Sequence, residues 1–166
     1  MKGRTLTFLV VALALVAGSG LAVAESGDTE EVLRKNSVSI GAGSLDEGAE
    51  NATQITLEYV RWMDHDFGVG VDLDFADDDK IVREWAIAVP FHLKFANYFD
   101  VYAGPGYEFQ DESITGDDDS DFFFRLGLGV EFDIGQGGWF VEPMIEADLF
   151  RSDEKYFLGV AVGKAF

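Results

Sequence analysis

The chain is 166 residues long, with 31 Asp or Glu against 12 Lys or Arg, a formal net charge of −19, 48% hydrophobic residues and no Cys. That length permits one domain of ordinary size, and the lack of Cys excludes a disulfide framework, a thiolate metal centre and a lipid-modified cysteine. The acidic excess opposes nucleic-acid binding, which relies on clustered Lys and Arg to release counterions, and 15 Phe, 5 Tyr and 3 Trp are too many for a chain that stays unfolded.

The chain begins with Lys2 and Arg4, followed by an uncharged run through Leu6, Phe8, Val10, Val11, Leu13 and Val16. Gly18, Ser19 and Gly20 then lead into Ala22-Val23-Ala24. A charged start, an apolar middle and a small-residue A-x-A site predict a secretory signal peptide over 1–24, cleaved after Ala24. Residues 5–24 are also just long enough for a retained membrane helix of ~20 residues, but the small residues before A-x-A favour cleavage. An acidic periplasmic segment is expected over 25–36 and a barrel over 37–166. An exported chain without Cys fits a bacterial envelope better than a disulfide-using secreted domain.

From residue 37 onward the apolar residues alternate, and no stretch offers a helical face. Eight strands are expected near 37–44, 51–62, 66–75, 81–96, 99–110, 121–134, 139–150 and 156–166, separated by polar or Gly-rich turns. One face is apolar: Val38 and Ile40, then Ile55, Leu57 and Tyr59, then Phe67 to Phe75 at every second residue, then Trp85 to Phe95 likewise. It continues through Val101, Tyr107 and Phe109, Phe122 to Phe132 with Val130 among them, Trp139, Val141, Ile145 and Leu149, and Tyr156, Leu158, Val160, Val162 and Phe166. The other face reads as glycines and charges.

Two architectures accommodate such strands. In a soluble barrel the apolar face is the core; in a transmembrane barrel it meets lipid and the polar face fills the interior. Glycines suit the crowded inside of a small barrel better than a solvated face. Arg61, Arg83 and Lys164 lie near strand ends, where long side chains can reach headgroups, and Trp85, Tyr59, Tyr107, Trp139 and Tyr156 lie where interfacial girdles would. The expected fold is therefore an all-β, eight-stranded antiparallel up-and-down transmembrane β-barrel. Connections 44–50, 76–80, 111–120 and 151–155 fall on one side and the shorter 63–65, 97–98 and 135–138 on the other. The acidic loops then face outward and both termini face the periplasm.

The chain resembles the small bacterial outer-membrane β-barrel superfamily, which includes the OmpA transmembrane domain and the OmpX and OmpW types. The likeness rests on the signal peptide, the eight segments, Tyr102-Ala103-Gly104-Pro105-Gly106-Tyr107-Glu108-Phe109 and Arg125-Leu126-Gly127-Leu128-Gly129-Val130-Glu131-Phe132. The terminal Leu158-Gly159-Val160-Ala161-Val162-Gly163-Lys164-Ala165-Phe166 is similar to the family's last strand, although Lys164 stands where that pattern is usually apolar. The resemblance implies that Phe166 is an assembly signal for the barrel assembly machinery, and that the other partners are outer-membrane lipids and lipopolysaccharide. A monomer without cofactors is expected.

Symmetric hairpins would set Asp72 opposite Glu84, Glu131 opposite Glu142 and Arg125 near Asp148. Ten interior acids (Glu58, Asp72, Asp74, Glu84, Glu108, Glu131, Asp133, Glu142, Glu146 and Asp148) would then face only His92, Lys94 and Arg125. Such a set reads either as a hydrated salt-bridge plug organised by Arg125 or as an interior cation or proton site. Among the loop acids, Asp77, Asp78, Asp79, Asp117, Asp118, Asp119 and Asp121 are a candidate for hard divalent cations, set against simple solvated acidic loops. No catalytic residue is assigned: His65 falls in a turn, and His92 has no Ser within six residues. The function expected is a structural or surface-interaction role, with a narrow conduit for small hydrophobic or cationic solutes as the alternative and a soluble lipocalin-like barrel behind it.

Overall fold

Alternation of large apolar residues with glycines and charges leaves the backbone one way to hide both faces: pair every strand edge and close. The computed structural model describes residues 35–46, 51–77, 82–112 and 118–166, and these form a closed antiparallel barrel. Its strands are β1 (Asn36–Asp46), β2 (Asn51–Trp62), β3 (Phe67–Asp77), β4 (Val82–Ala88) and β5 (Phe91–Phe95). They are followed by β6 (Phe99–Glu112), β7 (Asp118–Val130), β8 (Phe132–Asp133), β9 (Trp139–Leu149) and β10 (Glu154–Ala165). Strands β4 and β5 are two halves of one stave interrupted at Val89-Pro90, and β7 and β8 are two halves of another interrupted at Glu131, so the wall has the eight staves expected. Residues 1–34, which include the expected signal peptide and most of the acidic segment, lie outside the described residues.

Closure is made by β1 against β10, in register from Ser37↔Ala165 to Asp46↔Tyr156. It is tied at the chain end by Asn36 N to Phe166 O at 3.0 Å and Phe166 N to Asn36 O at 2.8 Å. The short turns show local chemistry. Asp64 Oδ1 accepts from the amides of Asp66 (2.9 Å) and Phe67 (2.6 Å). The three-residue connection 96–98 is closed by Tyr98 N to Phe95 O at 3.3 Å, with Ala96 and Asn97, at φ 51° and 65°, supplying the left-handed backbone that matches strand twist. Gly135, Gly137 and Gly138, all at positive φ, turn the chain into β9.

The Val89-Pro90 interruption does not shift register, since Asp72↔Ala88 and Val69↔Phe91 share one offset. Proline has no N–H to give. Gly70 donates to Pro90 O at 2.8 Å and Val89 donates to Pro105 O at 2.9 Å, but neither bond can be reciprocated. Gly104 is what lets the kinked segment approach, because a Cβ there would collide with the Val89 carbonyl.

The apolar face points outward as expected: Ile40, Phe91, Phe122 and Leu158 are more than half exposed. The interior departs from the expected glycines and charges. Trp62, Tyr102, Phe123, Phe140 and Phe157 are all buried inside, with Leu45, Val60 and Met144. Four of these rings lie directly across from a glycine of the adjoining strand: Trp62↔Gly68, Tyr102↔Gly127, Phe123↔Gly106 and Phe140↔Gly163. In each pair the ring occupies the space a Cβ of that glycine would need. Phe157 covers both Gly43 and Gly159. One placement is corrected: Asp133, expected inside, is exposed in the two-residue β8, where the stave has already been interrupted. Val130 keeps the outward parity of Leu126 and Leu128 but is covered, beside its partner Phe99.

Adding a methyl group under a ring should therefore cost more than adding one elsewhere on the same face. Gly127→Ala forces Tyr102 off its seat and is expected to destabilise the barrel by about 1–3 kcal/mol. Gly41→Ala, whose nearest contact would be Ala161 Cβ at 3.5 Å, should be near neutral in urea unfolding from lipid vesicles.

Candidate functional site

The interior charges assemble in three tiers along the bore. In the middle, β7 presents Arg125 directly across from Asp148 of β9. Arg125 is 1% exposed, and its guanidinium makes a two-pronged pair with Asp148, Nε to Oδ1 at 2.8 Å and Nη2 to Oδ2 at 2.7 Å. Its Nη2 also lies 2.7 Å from Asp74 Oδ2, and Nη1 lies 3.3 Å from Asp72 Oδ2 and 3.8 Å from Glu146 Oε2. Four carboxylates thus share one planar cation, which stands 5.4 Å from the centre of the Phe123 ring. Glu146 also accepts from the Tyr102 hydroxyl at 2.6 Å. The rigid fork of arginine suits this arrangement better than the point charge of lysine.

Toward the end that carries the longer connections, Lys155 Nζ donates to Glu84 Oε2 at 2.7 Å and Glu108 Oε2 at 2.9 Å. Glu108 Oε1 accepts from Gln110 at 2.8 Å. Toward the end that carries the short turns, Lys94 Nζ pairs with Glu131 at 2.7 Å and sits 4.4 Å above the Trp62 ring. Beside it His92 is buried, with Nδ1 3.0 Å from Asp100 Oδ2 and Nε2 3.6 Å from Glu58 Oε1. Ser39 Oγ donates to Glu58 Oε2 at 3.0 Å. The imidazole stacks on Tyr102 at 5.0 Å and meets Trp62 edge-on at 6.0 Å, with its Nε2 filling the space above Gly70.

The expected Arg125–Asp148 pairing is present, and Asp72 joins it. Asp72 does not face Glu84. The β3–β4 connection is centred two residues later than a symmetric hairpin about the Asp run implies, so Asp72 pairs with Ala88 and Glu84 with Ala76. Glu131 keeps the offset set by Gly129↔Met144 and Phe132↔Val141, which aligns it with Glu142, itself packed on Gly129. Lys155 and Asp100 were missed as interior residues. Lys155 reads as the end of a loop and Asp100 as the start of a strand, yet strand parity with Phe157 and Tyr102 places both inside. Of the loop acids, Asp121 is exposed and accepts from the Phe122 amide at 2.8 Å. Asp78, Asp79 and Asp117 lie outside the described residues, and Asp77, Asp118 and Asp119 are described in backbone only. Among the described residues no group of three His or acidic side chains is arranged to hold a metal ion. Lys164 points outward over Trp139, 5.4 Å from the ring centre, at the short-turn end of β10.

A family model described as "Outer membrane protein beta-barrel domain" matches residues 9–155. The chain belongs to that family. Among solved structures, this outer-membrane barrel is similar to the N-terminal β-barrel domain of Pseudomonas aeruginosa OprF. The TM-score is 0.61 at 15% identity, over 80% of this chain and 98% of that one. It is also similar to Neisserial surface protein A, with a TM-score of 0.59 at 9% identity over 79% and 96% of the two chains. Ail, the attachment invasion locus protein of Yersinia pestis, solved with the heparin analogue sucrose octasulfate, gives 0.54 at 15% identity over 79% and 96%. No curated protein matches the chain. At these identities the structural likeness concerns the fold, while the family places the chain among proteins of the bacterial outer membrane.

Removing the shared cation should be the most damaging change in the bore. Arg125→Leu leaves four carboxylates around a vacated centre and is expected to cost about 3–5 kcal/mol, enough to prevent a stable folded barrel. Lys155→Met, nearer the mouth with 11% of its side chain exposed, should cost clearly less. Cold and boiled samples on gels report both, the folded form migrating apart from the unfolded.

Proposed function

We propose that this barrel is a non-enzymatic, monomeric outer-membrane protein with a structural or surface-interaction role, exported on a signal peptide removed after Ala24. The observation that carries this reading is the filling of the bore. Between the Arg125 and Lys155 tiers the space left is about 10 Å³, room for one water and not for a solute column. Eight strands give a bore that side chains fill, and here charged tiers and aromatic rings do so along its length.

With the short turns toward the periplasm, the longer acidic connections face outward. Exposed Asp121, Asp153 and Glu154 line that outer rim, and the chain is −19 overall. Such a rim suits cationic partners, or divalent ions bridging it to lipopolysaccharide phosphates. It opposes a polyanion such as the sulfated sugar bound by Ail. At the opposite end Phe166, held by Asn36 in the closed seam, is the residue offered to the assembly machinery before closure.

The competing reading is a narrow conduit, favoured by a vestibule of about 140 Å³ at the outer mouth. Planar-bilayer recording separates the two. The plugged barrel gives no steady conductance in salt solution, whereas a reproducible open level would establish a conduit. Orientation is read by trypsin on intact cells: cleavage at Arg151, exposed between β9 and β10, is expected, and protection of Arg151 would reverse the assigned sidedness.

A further inference from the structure

The cations of this chain divide into two kinds. Among the described residues the interior ones, Lys94, Arg125 and Lys155, each hold a carboxylate at 2.7 Å. Arg61 and Lys164 instead face outward at the short-turn end, are exposed, and make no ion pair with any described residue. In a chain with 31 acids and 12 bases, two neighbouring cations without an acid partner are an exception. The chain-end Phe166 is near, but its oxygen is taken up by the Asn36 backbone N–H at 3.0 Å and side-chain amide at 3.5 Å.

Strand pairing brings both cations to the seam where the barrel closes. Across the outer face Trp139, Lys164, Val38 and Tyr59 form one row over β9, β10, β1 and β2, and Asn36 and Arg61 share the next row toward the turns. Arg61 Nη1 reaches over β1 to donate to Asn36 Oδ1 at 2.9 Å, an oxygen that also accepts from the Tyr59 hydroxyl at 2.9 Å. That bond uses one of the five N–H donors of the guanidinium. Strands β10 and β2 lie about 10 Å apart, a span that two long side chains close onto a single phosphodiester. Further along the seam the wall is shallow. Outward Ala42 stands between Ile55 and Val160, and Ser44 stands beside Leu158, which at 65% is the most exposed large apolar side chain among the described residues. An acyl chain running from a phosphate at Arg61 and Lys164 has room there.

We propose that this surface binds one anionic glycerophospholipid, with its phosphodiester between Arg61 and Lys164 and an acyl chain along β1. Charge complementarity selects the lipid. A zwitterionic headgroup carries its own cation, whereas phosphatidylglycerol brings a net negative charge that the two unpaired cations neutralise. Because Lys164 belongs to β10 and Arg61 to β2, one lipid bridges both flanks of β1 and clamps the strand that closes the barrel. The proposal rests on the outward face meeting lipid; with the sidedness proposed above, the leaflet is the periplasmic one.

The test reads lipid preference at Trp139, which pairs with Lys164 across β9 and β10. The mature chain carrying Trp85→Phe keeps Trp139 as its only outward tryptophan. A chain carrying Trp139→Phe keeps Trp85, at the other end of the wall, where register sets Arg83 between Asp77 and Asp111. Each is refolded into phosphatidylcholine vesicles containing a minor fraction of brominated phosphatidylglycerol or brominated phosphatidylcholine. At Trp139 the quenching should report an affinity about tenfold higher for phosphatidylglycerol, and at Trp85 no preference. Arg61→Gln together with Lys164→Gln should bring the Trp139 ratio to unity. Equal quenching of Trp139 by the two lipids overturns the proposal, and that comparison leaves both cations in place. A preference of the same size at Trp85, or one that survives loss of both cations, also overturns it, since the attraction then lies elsewhere. Quenching of neither tryptophan by either lipid overturns the outward assignment of this face, and the proposal with it.

Discussion

Eight strands close on a bore too narrow to hold bulk water, so every side chain pointing inward must either pack against the opposite wall or find a charge partner there. In this barrel the demand is met around Arg125. Its guanidinium gathers carboxylates from β3 and β9, tying staves that are not neighbours in the wall. Backbone pairing joins each stave only to the next, and the arginine joins across the lumen. A buried cation with four carboxylates is an expensive arrangement in isolation. It is tolerable because the fork makes a two-pronged bond with one acid and Tyr102 satisfies another.

The glycines belong to the same economy of space. An interior ring needs about the volume of two ordinary side chains, and the barrel makes room by placing a glycine directly across from it. Trp62, Tyr102, Phe123 and Phe140 each lie over such a partner, which also shields the glycine backbone. Rings and ion pairs then alternate along the bore. Phe123 stands against Arg125, Trp62 beneath Lys94, and Tyr102 and Trp62 hold His92 between them. The cations sit in low-dielectric, aromatic-lined positions where their pairing with carboxylates is strengthened.

Much of this was legible in the residues, because period-two alternation fixes which side chains share a face. The strand positions, the outward apolar stripe and the Arg125–Asp148 pairing all follow from it. What alternation does not carry is the centre of a loop: two residues of displacement in the β3–β4 connection moved Glu84 from Asp72 to a place beneath Lys155. Nor does it mark where a strand ends, so Lys155 reads as loop and Asp100 as a strand edge. The interior rings were obscured for a different reason. In Phe122-Phe123-Phe124 and Trp139-Phe140 both parities are aromatic, and a run of like residues conceals that one of them points inward.

The central claim is the assignment of faces, with lipid outside and the aromatic and charged filling inside. The three tryptophans divide accordingly: Trp62 is 7% exposed within the bore, whereas Trp85 and Trp139 are 44% and 49% exposed on the outer face. Single-tryptophan variants refolded into vesicles of brominated lipid measure this directly. The account predicts strong quenching of Trp85 and Trp139 and little of Trp62. Quenching of Trp62 above the other two, or no quenching of any of them, would contradict it.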